Sequence, residues 1–220
     1  MNSRVDEPVE ERHVGRRHLD RLIMLSDGIF AIAITLSAIE IRPELKPGRS
    51  LWQAWSMPLT VYFLSFILIG VIWVNHRRIV AHLRDIDGIG TGINLVLLSL
   101  VALMPVVIRF ALSDPGQDEA FVVYALAVAV TFSCMAALWV HVAFIANLAP
   151  DLEPGLARIW LLEMIAAPLI IGAMALYQLH VRSAALILTL VAVTLWLIKA
   201  RMEYLRKRNS NHQSARSTHP

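Results

Sequence analysis

Six long apolar runs, separated by short polar stretches, account for most of the chain. They cover residues 22–41, 57–74, 89–108, 120–148, 159–179 and 181–198. A helix needs about 20 residues to cross the hydrocarbon core, with a range of roughly 17–25. All six runs meet that length, and the fourth has residues to spare for tilt or for an end outside the lipid. Barrel strands would be about half as long and would alternate polar with apolar positions. These runs do not alternate. The pattern predicts an all-α membrane protein with six transmembrane helices.

The connections predict their own geometry. Residues 42–56 hold Pro43, Pro47 and Gly48, and residues 149–158 hold Pro150, Pro154 and Gly155. The stretch 113–119 reads Ser-Asp-Pro-Gly-Gln-Asp-Glu, a turn sequence. Only residues 178–183 separate the last two runs, so those helices should form a hairpin. Pro168 falls inside the fifth run, where a kink is expected. Residues 209–220 are polar and expected to be irregular. The division is a cytoplasmic N-terminal segment (1–17), a six-helix membrane domain (18–205) and a basic cytoplasmic tail (206–220).

Composition agrees with the pattern. Hydrophobic residues make up 57% of the chain and charged residues 17%, with a mean hydropathy of +0.59. Soluble domains carry more charge and less apolar content. A pI near 9.3 raises the question of nucleic acid, but the basic residues sit at span ends and in the tail. That placement is how membrane proteins set their orientation. With both ends of the chain on one side, that side holds fifteen of the 20 Lys and Arg residues. The positive-inside rule then places both termini of this multi-pass chain in the cytoplasm. The N-terminal stretch is charged and has no signal-peptide core.

Candidate chemistry is sparse. The lone cysteine, Cys134, lies in an apolar run and reads as an inert buried thiol. His76 and His82 are six apart and share no helix face well, so no zinc site is expected. Ser26 and Asp27 lack a nucleophile motif, so no enzyme is expected. Trp52, Trp55, Trp73, Trp160 and Trp196 fall near span ends, as in an aromatic belt, while Trp139 is deeper and should pack. Glu163 and Arg158 flank the start of the fifth span, where pairing or snorkelling is the default. Glu40 marks the outer end of the first span.

One ionisable side chain stands out. Asp27 lies inside the first run, where a charge is costly and usually marks function or a buried pair. Its surroundings, Arg21, Ser26, Asp27, Ala31, Ile32, Thr35 and Leu36, resemble the signature of the transmembrane protein 175 family of potassium channels. Leu25 departs from the family's phenylalanine, and Ser37 from a common leucine. Trp73, His76, Arg77, Asp87, Asn94, Leu95 and Pro105 also fall where members carry similar residues.

The resemblance implies a homotetramer in the lipid bilayer, with the first helix of each subunit lining a central pore. It implies passage of potassium or other monovalent cations, no cofactor, and no carbonyl-type filter. By position, Ile32 corresponds to the family's apolar constriction, Thr35 to its pore-lining threonine, and Ile39 to the apolar residue one turn further out. At about 100° per residue these three share one stripe, and Asp27 lies about 140° from Ile32. Asp27 is therefore expected to be a structural tie rather than an ion ligand. Arg21 is its preferred partner, within or between subunits, with His76, Asn75 and Asn94 as candidates, and Arg21, Ser26, Asp27, His76 and Asn94 are expected to form one network. A proton-permeable channel and a secondary transporter are the alternative readings.

Overall fold

The computed structural model describes residues 9–39, 41, 48, 50–113 and 118–217. Glu40, Pro43, Pro47 and the centre of the 113–119 turn lie outside the described residues.

Six α-helices follow one another: α1 (Val9–Ile39), α2 (Leu51–Val80), α3 (Gly88–Ser113), α4 (Asp118–Val140), α5 (Pro154–Gln178) and α6 (Arg182–Ser217). Each contains a stretch long and apolar enough to cross a membrane. No strand occurs among the described residues. The all-α, six-span expectation therefore holds.

Local chemistry sets several helix ends. Ser50 caps α2: its Oγ accepts the Gln53 backbone N–H at 3.3 Å, while its own N–H donates to Gln53 Oε1 at 3.1 Å. This reciprocal pair satisfies two backbone donors that a helix start leaves free. Asp87 does similar work at α3, where Oδ1 accepts the Gly90 N–H at 2.8 Å. α4 passes directly into a π turn, His141–Ile145, and Asn147 then takes a left-handed conformation (φ 51°). His180 does the same (φ 61°) in the tight turn between α5 and α6. α6 continues to Ser217, where the sequence suggested an irregular tail. No Gly or Pro interrupts it after Arg182, and propagation needs no more than the absence of a breaker. α5 is likewise continuous through Pro168.

The core lies where α1 to α5 meet, around Phe30, Ile72, Leu97, Met135 and Trp139. Trp139 packs as expected, and its indole N–H donates to the Ala157 carbonyl at 3.0 Å. α2 and α6 present mainly apolar side chains outward, as suits helices facing lipid. The α2–α3 loop is strapped to the α4–α5 loop by Arg84, which donates to the Asp151 carboxylate from two of its nitrogens.

Candidate functional site

The polar residues of α1 divide by face. Ser26 is fully buried. Its hydroxyl donates to the Leu22 carbonyl at 2.7 Å and accepts from Asn94 Nδ2 at 3.3 Å. Asn94 Oδ1 in turn accepts from His76 Nε2 at 2.7 Å. All three side chains are essentially inaccessible. One chain of hydrogen bonds thus joins α1, α3 and α2. Phe30 lies against the His76 ring, with centroids 5.5 Å apart. Such a network stabilises one arrangement of the helices, because any displaced member would leave a buried polar group unpaired.

Asp27 is held separately. Its Oδ1 accepts the Trp73 indole N–H at 2.8 Å. Of the partners considered from sequence, Ser26, His76 and Asn94 come together beside it, but Arg21 does not pair with it. The two lie six positions apart on one helix, about 240° around its axis. Arg21 is exposed. Asn75 turns back to donate to the Val71 carbonyl. The aromatic-belt reading hid the role of Trp73. The missed signal was its spacing: Trp73 and His76 are three apart on α2 and so share a face. Trp160 is likewise not an interfacial belt residue. It is 5% exposed, with the Arg78 guanidinium 3.7 Å above its ring centroid and His82 edge-on. Glu163 pairs with Arg78 at 3.3 Å and Lys199 at 3.6 Å rather than with Arg158.

The opposite face of α1 is exposed among the described residues. Ile32 is 58% exposed and Ile39 66%. Thr35 is exposed between them. Its hydroxyl donates back to the Ala31 and Ile32 carbonyls at 3.0 and 2.9 Å. The donor is consumed inside the helix, so the oxygen presents its lone pairs outward.

A second polar junction lies at the start of α3. His141 Nε2, in the π turn, sits 2.9 and 2.8 Å from the two Asp87 oxygens. Partial desolvation opposes ionisation of Asp87. The Gly90 N–H and the His141 contact outweigh it and hold the carboxyl below its ordinary value. Among the described residues, no group of three or more His, Cys, Asp or Glu side chains converges as a metal site.

Residues 21–105 match the family profile described as "Endosomal/lysosomal potassium channel TMEM175". A potassium channel of Chamaesiphon minutus is 37% identical over 139 residues, covering 56% of this chain and 65% of that one. Over residues 21–105 the chain is similar to the TMEM175 family. The profile's bounds coincide closely with the stretch that carries the signature, and the Ser26–Asn94–His76 and Asp27–Trp73 contacts all fall within it. A potassium channel of Streptomyces collinus is 32% identical over 130 residues, covering 55% of this chain and 63% of that one. The chain spans less than two thirds of the length of these curated relatives. The chicken protein named "Endosomal/lysosomal proton channel TMEM175" is 27% identical over 101 residues, covering 44% of this chain and 20% of that one. The crystal structure of a lysosomal potassium-selective channel TMEM175 homolog from Chamaesiphon minutus matches the fold with a TM-score of 0.61 at 24% identity. That match covers 83% of this chain and 98% of that one, so the TMEM175 fold extends well past the signature into α4–α6.

Proposed function

We propose that the chain is one subunit of a homotetrameric, potassium-permeable channel in which α1 lines the pore. Both termini lie in the cytoplasm, and the membrane is a bacterial-type inner membrane. The observation that carries this reading is the division of α1. Its Ser26–Asp27–Phe30 face is engaged by α2 and α3, while the Ile32–Thr35–Ile39 stripe is exposed and aligned along the span. Four such stripes around an axis would form an apolar ring at Ile32, a hydroxyl ring at Thr35 and a second apolar ring at Ile39. A narrow apolar ring excludes water and ions when closed. A ring of hydroxyl oxygens replaces part of an ion's hydration shell. Thr35 suits that task because its proton is already committed to the helix backbone. Four hydroxyls make a weaker site than stacked carbonyl rings, so the potassium preference should be modest.

Planar-bilayer recordings test the assignment. Ile32→Asn should raise the open current, and Thr35→Ala should lower the preference for potassium over sodium. Unchanged current and unchanged preference in both variants would refute it. A monomer in detergent would also refute it, since one α1 cannot enclose a pore. The relatives named as proton channels support a second reading, proton permeation through the same stripe. Under a proton gradient, a reversal potential that follows pH rather than potassium identifies that case.

A further inference from the structure

A cleft of about 410 Å³ opens beside α2, bounded by Ile34 of α1 and by Phe66, Ile67, Gly70, Val71 and Trp73 of α2. Its size falls in the roughly 300–1,000 Å³ range of ligand clefts. Its walls are apolar. Gly70 contributes to the space, since a Cβ built there would meet no atom within 4 Å. Ile34 lies about 160° around α1 from Ile32 and about 20° from Asp27. The cleft therefore turns away from the Ile32–Thr35–Ile39 stripe, toward the side where α2 is exposed.

Two charged groups meet Trp73 at the polar end of the cleft: the Asp27 carboxylate takes its indole N–H, and the Arg77 guanidinium lies over its ring. The Arg77 guanidinium lies 5.2 Å from the centroid of the Trp73 ring, and Trp73 is a wall of the cleft. Arg77 is exposed, and no acidic side chain neutralises it among the described residues. It lies near the end of the α2 span, which closes at Val80, so it reaches the headgroup level while Phe66 and Ile67 lie deeper. The Trp73 N–H is already committed to Asp27, which leaves Arg77 as the group that meets a headgroup.

We propose that this cleft binds an anionic phospholipid, with an acyl chain along Gly70 and Val71 and the phosphate at Arg77. An apolar slot ending in an unneutralised guanidinium is complementary to that amphiphile. A second copy of the chain would instead need an acidic group to meet Arg77. Trp73 is shared between the cleft and Asp27, so an occupied cleft would steady the tether that holds α1. That consequence rests on the pore reading. Lipid binding itself does not.

Native mass spectrometry of the full chain in detergent, titrated with phosphatidylglycerol or phosphatidylcholine, tests the site without measuring current. The wild type should retain phosphatidylglycerol preferentially. Arg77→Gln should reduce that retention about fivefold, the factor for one basic residue at an anionic surface, and Arg77→Lys should restore it. Gly70→Leu, which fills the cleft, should reduce retention of both lipids while leaving thermal unfolding and oligomeric mass unchanged. Equal retention of the two lipids overturns the proposal, as does undiminished phosphatidylglycerol in Gly70→Leu. A change of oligomeric mass in Gly70→Leu also overturns it, by showing that a neighbouring chain covers the cleft.

Discussion

On one face of α1, Ser26, Phe30, Ala33 and Ser37 are buried against α2 and α3; on the other, Ile32, Thr35 and Ile39 stand exposed. Hydroxyls occur on both faces, and each donates back to its own helix: Ser26 to Leu22, Ser37 to Ala33, Thr35 to Ala31 and Ile32. The faces differ in what meets the oxygen. Ser26 receives Asn94, whereas Thr35 receives no donor among the described residues. The same side-chain chemistry is structural where a partner is built in and available for function where it is not.

The comparison breaks most readily on the buried face. Phe30 is 1% exposed and packs on His76. Phe30→Ala should destabilise the chain by about 3–5 kcal/mol, the range for emptying an aromatic site in a core. Thermal unfolding in detergent measures it. A loss as small as that of an exposed residue would mean that α1 is not anchored by this face.

The next effect is polar. Asn94→Leu deprives His76 Nε2 of its acceptor and Ser26 Oγ of its donor while keeping the number of side-chain heavy atoms. A buried polar group left unpaired costs about 1–3 kcal/mol. We expect a loss in that range, and the double variant Ser26→Ala/Asn94→Leu should lose less than the two single variants combined. Strict additivity would show that the two side chains are not coupled.

How much of this was legible follows from the same contrast. A carboxylate, a serine and a threonine inside an apolar run are conspicuous, so α1 declared its polar positions, and its period assigned them to faces. Partners were harder. Asn94 and His76 were singled out, but Trp73 was read as an interfacial tryptophan because hydropathy locates a residue in depth, not around its helix. The helical period, with Arg21 and Asp27 six positions apart, keeps the two from pairing within one subunit. The second half of the chain was less legible still. His141 lies in a long apolar run with nothing local to mark its role. Its partner Asp87 is 54 positions away, at the start of a different helix, and no local rule joins such a pair.

That junction yields a smaller effect with a defined sign. Asp87 has its carboxyl held below its ordinary value of 3.8. A depressed carboxyl contributes stability above its unfolded value and loses it as pH falls through the folded one. Asp87→Asn should therefore be less stable than the wild type at neutral pH. The difference should start to shrink below about pH 4, where the unfolded carboxyl protonates, and close as pH falls through the lower folded value. Unfolding curves at several pH values test this, and a gap that persists unchanged into acid contradicts it.

The smallest expected stability change is on the exposed stripe, and its smallness is the point. Thr35→Val keeps the β-branch and the shape of the side chain while removing the oxygen. The hydroxyl's hydrogen bonds among the described residues are both to its own helix. Exposed substitutions of this kind usually stay within about 0.5 kcal/mol. If the stripe lines a pore, the same variant should nonetheless lose potassium preference in bilayer recordings, because the acceptor facing the ion is gone. A variant that unfolds normally and conducts differently separates the two faces of α1 by experiment. A variant that unfolds normally and conducts as before makes Thr35 an ordinary helix-bonded threonine and moves selectivity elsewhere along the stripe.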